Sequence, residues 1–331
     1  MPIPATRDQV GDETPAGRPI PPQPMDWGHT YVSITGSNGQ GEEIPLVGFA
    51  TREWPAIFMQ AGATGLDAPP VELYSDESPN LDGSMYRSSR TAAREVMIPV
   101  FLYGIDRRTL RALKRKLISA LSPKNGYCVL KFMEADSQPR YLYCYYKGGM
   151  EGNEGTDNAG FRWVKYGIQL TAMDPWFYSD DIQVAEWTFG GGTGFLRQGE
   201  SLYPLKLSAG TLNNSSIPIV NPGEVAAWPV WKITGPVKGF EFTGPTGASF
   251  GITGAQDGAD VVPDGRVLTV DTRPGYKTLR DDGGKNYYPL LDANPELWSA
   301  PSGRSTAGIE LVAGAGTASL RLSLRPRYET Y

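Results

Sequence analysis

The sequence has 331 residues and a formal net charge of -5, from 31 basic and 36 acidic side chains, so no global positive field draws it to nucleic acid or anionic lipid. A hydrophobic content of 40% with 20% charged residues is that of a globular chain, long enough for one large or two ordinary domains. No window reaches the ~18 uninterrupted apolar residues of a membrane span, and no basic region followed by an apolar one opens the chain. Sequence-specific nucleic acid binding and membrane insertion are therefore not expected, and folding in the cytosol is.

Forty Gly, 28 Pro and 17 Tyr favour strands joined by tight turns over helices, so the expected class is mainly β. Residues 1–25 hold Pro2, Pro4, Pro15, Pro19, Pro21, Pro22 and Pro24 without apolar periodicity. They cannot bury enough surface to offset ordering entropy and read as an extended arm. Strand patterns follow at Thr30 to Thr35 and Glu43 to Thr51 around the turn residues Gly36-Ser37-Asn38-Gly39, as in a hairpin. From Gly62 to Arg94 the chain is rich in Gly, Pro, Asp and Ser. That composition predicts a long contact-making loop or arm, not a core element.

Val96 to Tyr103 is apolar on both faces and predicts a strand covered on both sides, with Pro99 placing it at an edge or bulge. Asp106 then reads as an N-cap, Leu110, Leu113, Leu117 and Leu121 as a helical stripe, and Pro123 as its stop: one amphipathic helix of about four turns. Its stripe needs a sheet, which Tyr127 to Glu134, Arg140 to Lys147 and Phe161 to Met173 supply as antiparallel strands, giving an α+β unit. Cys128 and Cys144, the only two cysteines, face each other if a hairpin folds about Asp136. Buried thiols and a cross-strand disulfide both fit that arrangement.

Ile182 to Phe189 is a short strand ahead of Gly190-Gly191-Gly192-Thr193-Gly194, and a domain boundary is placed near residue 181. Beyond Leu205 short β patterns recur at Ser215 to Val220, Trp228 to Thr234, Phe240 to Thr243, Val267 to Asp271, Lys277 to Leu279, Gly308 to Val312 and Ala318 to Arg325. Without helical periodicity this is the pattern of a β-sandwich or jelly roll.

Chemistry-bearing residues are sparse, and no catalytic, cofactor-binding or metal-ligating set emerges. The single histidine, His29, adjoins the Pro-rich arm, where no third group would hold it as a base. Gly190 to Gly194 lacks the Lys-Ser/Thr of a phosphate loop and reads as a linker. Asp257, Asp260 and Asp264, or Asp281 and Asp282, have oxygen ligands for Ca²⁺ but not the EF-hand spacing, and Glu42 and Glu43 are not placed across a cleft. The basic residues from Arg107 to Lys116 read as the solvated helix face, or as a surface meeting an acidic partner. Trp228, Trp231 and Trp298 suit a core; exposed, they would suit stacking on sugars, as would Tyr287 and Tyr288.

The order and content of these segments resemble the distal tail proteins of siphophages, in the form found as minor tail proteins of actinobacteriophages. The resemblance rests on Gly62-Ala63-Thr64-Gly65-Leu66-Asp67-Ala68-Pro69-Pro70 with Asp82-Gly83 and Arg94-Glu95, and on the strand and helix from Ile98 to Pro123. It rests further on Gly148-Gly149-Met150-Glu151-Gly152, Asp174-Pro175-Trp176-Phe177, Ile219-Val220-Asn221-Pro222-Gly223 and Trp228-Pro229-Val230-Trp231-Lys232-Ile233-Thr234-Gly235-Pro236. It implies a ring-forming belt domain over 26–181, assembled as a homo-oligomer, usually a hexamer, and a galectin-like β-sandwich over 182–331. The implied partners are the tail tube protein, the tape measure protein and the tail hub or baseplate protein, in a virion tail tip assembled in the bacterial cytoplasm. The implied role is structural and not enzymatic, without cofactor. The alternative is a carbohydrate-binding tail protein that meets host cell-wall glycan through the sandwich. The Pro-rich arm is not part of the family pattern.

Overall fold

The computed structural model describes residues 30–48, 55–80, 82–134, 137–152, 162–189, 211–254 and 258–331. The expectations for Pro2 to Pro24, His29, Gly190 to Gly194 and Asp257 fall outside the described residues. The architecture is mainly β with one α-helix.

Strands β1 (Tyr31–Thr35) and β2 (Glu43–Val47) form the first hairpin, with Ile34 opposite Ile44. Ser37, Asn38 and Gly39 turn the chain at positive φ. A Cβ on Gly36 would lie 2.2 Å from the carbonyl oxygen of Ala120, so the turn seats on the helix only because that position is glycine. The unit continues with β3 (Ala56–Met59), β4 (Val71–Glu77), β5 (Ser84–Thr91), β6 (Arg94–Tyr103), α1 (Arg107–Leu121), β7 (Cys128–Met133), β8 (Arg140–Gly148), β9 (Trp163–Ala172) and β10 (Phe177–Tyr178).

The main sheet runs β2-β1-β7-β8-β9-β6-β3, and its two end strands meet, so that it curls into a nearly closed barrel. Closure removes the free edges that a sheet of this length would otherwise offer. Asp106 caps α1, its carboxylate accepting from the Thr109 N–H at 2.7 Å and from the Thr109 hydroxyl. That backbone bond holds the Asp106 carboxyl below its usual range. Leu110, Leu117 and Leu121 enter the core formed by Val32, Ile34, Val100, Leu102, Leu130, Leu142 and Ile168.

One sequence expectation changes here. β6 is interior, paired with β9 along its whole length and with β3 on the other side. Pro99 is tolerated because its carbonyl accepts from Gln60 on the β3 side, so its missing N–H falls just past the last residue of β3. The 62–94 stretch takes the arm form of its reading, because it contains the exposed β4–β5 hairpin. Cys128 and Cys144 are direct cross-strand partners, as the hairpin arithmetic required, and both are free and buried. Burial pushes the Cys128 thiol up to about 12.

The second unit contains β11 (Ile182–Phe189), β12 (Thr211–Asn221), β13 (Val230–Thr234), β14 (Val237–Thr243), β15 (Ser249–Ile252), β16 (Val267–Asp271), β17 (Thr278–Asp281), β18 (Gly303–Ala313) and β19 (Ala318–Leu324). They make a five-stranded sheet, β11-β19-β13-β16-β17, and a four-stranded sheet, β12-β18-β14-β15. The two share one core, which is the sandwich expected from the recurring short strands. Trp231 on β13 stacks on Phe242 of β14 with centroids 4.1 Å apart, and Trp298 meets Trp231 edge-on at 6.0 Å while its indole N–H donates to the Phe242 carbonyl. These rings form an aromatic centre within an otherwise aliphatic core.

After β19 the chain returns to the barrel. β20 (Arg327–Tyr328) pairs with β10, and Tyr331 stacks on Phe132 at 4.6 Å. Arg94 locks this return. It is 1% exposed, and its guanidinium donates to the carbonyls of Pro175 (2.8 Å), Gly65 (3.0 Å), Asp67 (2.5 Å) and Glu329 (2.6 Å) while lying 5.0 Å over the Phe177 ring. Burial lowers its pKa, yet four oxygens and a ring face solvate the cation in place of water.

Arg94→Met, similar in length but without donors, strands four carbonyls; unfolding in urea is expected to show a loss of about 3 kcal/mol or more, and an unchanged midpoint would remove Arg94 from this role. The cysteines give a second test. Below the ordinary thiol value near 9, folded and unfolded chains both hold the proton; above it the unfolded chain releases a proton that the folded chain retains. Stability is therefore expected to fall as pH rises from about 9 towards 12, and Cys128→Ala/Cys144→Ala should flatten that slope. Native protein should leave both thiols unreactive towards a disulfide reagent until it is unfolded.

Candidate functional site

The feature that the fold does not explain is the β4–β5 hairpin. Among the described residues its strands pair only with each other, closed at the base by the Ala92 N–H donating to the Pro70 carbonyl. At that base, a Cβ on Gly65 (φ +80) would lie 1.9 Å from the Glu95 carbonyl oxygen, so the chain enters the arm against β6 only through glycine. Every residue of β4 is exposed, and all of β5 but its last. A lone two-stranded hairpin in water is marginal, which makes its surface the informative part.

Strand alternation divides that surface. On one face Glu72 pairs with Arg90 at 2.7 Å and Asp76 with Arg87 at 2.5 Å, and the Arg90 guanidinium holds the Glu72 carboxyl below its usual range. These exposed pairs contribute little to stability, but they fix register across the bulge between Tyr74 and Ser75. On the other face Val71, Leu73 and the cross-strand Tyr86 are 57%, 70% and 65% exposed. An apolar stripe held out on an arm, backed by internally satisfied charges, is a surface that another molecule can cover.

The other candidates separate into ordinary roles. Trp231 and Trp298 are core rings, Tyr287 is buried and Tyr288 is 40% exposed, so three of the rings that would stack on sugar are inside the sandwich. Trp228 alone among the three tryptophans stays half-buried, beside a cavity. Asp282 pairs with Arg266, and Asp281 accepts from the Lys285 N–H and the Tyr287 hydroxyl. Asp260 and Asp264 join no metal-holding cluster among the described residues. Glu42 pairs with Lys116 of α1, and Glu43 accepts from the Ser33 hydroxyl at 2.6 Å, which lowers its pKa. The remaining basic side chains of α1 lie on its outward face. The hairpin's stripe was not legible as strands, because it alternates against nothing buried; the composition of the 62–94 stretch was its only signal.

Residues 62–160, which carry the hairpin and α1, match the family model of a phage tail protein RIFT-related domain. A search of curated proteins finds no sequence match. Among solved structures the chain is similar to the Dit protein of phage SPP1, described as a paradigm of the hub adsorption apparatus in phages infecting Gram-positive bacteria. Identity there is 14%, TM-score 0.59, with 89% of this chain and 98% of that chain covered. It is also similar to a chain of the phage P2 baseplate in its activated conformation, in structures with Ca and with Sr, at 9% identity and TM-score 0.51, covering 91% of this chain and 99% of that one. At these identities the likeness is one of fold, and it runs across both the barrel and the sandwich. The resemblance to siphophage distal tail proteins read from the sequence is met by both comparisons.

In the separate chain, amides of β4 and β5 are expected to exchange with deuterium far faster than those of β6 and β9, since few buried contacts hold the hairpin closed. Equal protection in the two pairs would mean that the hairpin is packed in solution.

Proposed function

We propose that this chain is a structural component of a siphophage tail tip, a belt domain over 26–181 that assembles into a homo-oligomeric ring, with a galectin-like sandwich over 182–331 facing outward. The supporting observation is the β4–β5 arm: it lies within the segment that matches a phage tail domain and exposes Val71, Leu73 and Tyr86 on one side. The barrel has nearly closed its own sheet, so the arm is the device by which one copy reaches the next. Such a contact is heterologous, one face against a different face, and it closes into a ring when the rotation permits. Six copies is the stoichiometry the family suggests, around a channel for DNA, with the tail tube protein above, the tape measure protein within and the hub or baseplate protein below. The work of such a protein is interface geometry, and it is not a catalyst. The structural match to hub and baseplate chains supports the location at the distal end of the tail. The glycan-binding reading loses support with the burial of Trp298 and Tyr287.

Size exclusion with light scattering over a concentration range tests this. The wild-type chain is expected to form a closed oligomer, alone or on addition of the tube protein. Leu73→Asp/Tyr86→Asp should weaken association by about 3 kcal/mol or more, since each buried side chain of this size contributes about 1.5–3 kcal/mol, while the melting temperature of the single chain stays put. Oligomers that persist unchanged in the double variant would place the ring contact elsewhere.

A further inference from the structure

Between the barrel and the sandwich lies a cavity of about 560 Å³. From the barrel, Tyr127, Tyr143 and Tyr145 present ring faces; from the sandwich side come Trp228 and Tyr276, and Tyr178 closes the floor. Tyr276 is 68% and Tyr145 39% exposed, so the rings open to solvent.

The polar groups of this wall are largely occupied. Arg325 lies between the rings of Tyr143 and Tyr178, 5.3 and 5.1 Å from their centroids, and donates to the Ser179 carbonyl. Arg273 is bonded to Asp271, and Arg327 donates to the Ala226 carbonyl. These guanidiniums brace the rings from behind and leave few free donors for a small anion. What the cavity offers a ligand is a set of preorganised aromatic faces with a positive background, and at one side the carboxylate of Asp174, which accepts from the Tyr178 hydroxyl. That chemistry fits a proline-rich strand, whose rings lie flat on Tyr and Trp and whose stiffness keeps the entropic cost of docking low.

The chain carries such a strand. Arg18-Pro19-Ile20-Pro21-Pro22-Gln23-Pro24 places prolines at the three-residue repeat of a polyproline helix, one basic residue ahead of them. The one charge of this segment is Arg18, of the sign that the Asp174 carboxylate in the pocket lining attracts. The reach is sufficient. Thr30 leads into β1, which pairs with β7 so that Tyr31 faces Met133 at the end of the strand remote from Tyr127, a path of roughly 20 Å. The six residues from Pro24 to Thr30 span up to roughly 20 Å when extended, enough to bring the end of the segment to the pocket.

We propose that the aromatic pocket at the junction of barrel and sandwich is the docking site for the Pro-rich segment Arg18–Pro24 of this chain. Docked there, the segment ties the two units together in addition to the Arg94 lock. This assignment stands whether or not the chain is a tail protein.

The test uses the full chain with a photo-crosslinking benzoylphenylalanine in place of Tyr276, whose exposure keeps the fold intact. Irradiation followed by mass spectrometry is expected to recover a cross-link to a peptide containing residues 18–24. The cross-link should be lost in Pro21→Ala/Pro24→Ala and competed away by a synthetic peptide of residues 15–27. The same probe at Val312, exposed on the far sheet of the sandwich, should not give it. Absence of a cross-link to 18–24 from position 276 would overturn the assignment. So would equal yields from 276 and 312, or a yield indifferent to the two prolines.

Discussion

A single buried cation organises this molecule. Arg94 opens β6, yet its four carbonyl partners come from the base of the projecting hairpin, from the turn before β10 and from the strand that returns out of the sandwich. A guanidinium suits the task because its donors lie in one plane and spread around it, so one side chain meets several backbone segments at fixed angles. Its hydrogen bonds all go to backbone carbonyls, and the carboxylates of Asp67 and Glu329 add a lesser attraction. The charge is borne by oriented carbonyl dipoles and the Phe177 ring, an arrangement that exists only when all those segments are in place. The root of the hairpin, the barrel wall and the last residues of the chain therefore form together.

That lock is what lets the hairpin project. With its base held by Arg94, Gly65 and the Pro70–Ala92 bond, the arm needs no core of its own, and its apolar stripe remains available. Burial inside the barrel and the sandwich is dense, with rings from both sheets stacked about Trp231. Of the exposed large apolar side chains, Val71, Leu73, Tyr74, Met85 and Tyr86 lie on the arm. Closure of the barrel satisfies its own strands, and the open pairing is kept on the arm.

The junction between the two units is aromatic for a related reason. Tyrosines at alternate positions of β8 face outward from the barrel, and the sandwich meets them with Trp228, Tyr276 and arginines that stack on their rings. Cation–π contacts tolerate small shifts between the units better than close aliphatic packing does, while β20 and Tyr331 supply the fixed connection.

The sequence by itself determined the mainly β class, the one helix with its Asp106 cap and Pro123 stop, the register that sets Cys128 against Cys144, and most strands of the sandwich. Each rests on signals that act within a few residues: hydrophobic period, capping chemistry, turn residues. It also marked 62–94 as an arm by composition. The strands of that arm, together with β3, β10, β15 and β20, were illegible because they are short or lack a buried face to impose alternation. Tertiary structure alone decided that Arg94 is buried, that Pro99 sits inside a sheet, and that Trp228 lines a cavity while Trp231, three residues on, is core. The physical reason is common to all three: each depends on groups supplied by chain segments far away in sequence, which no local pattern can specify.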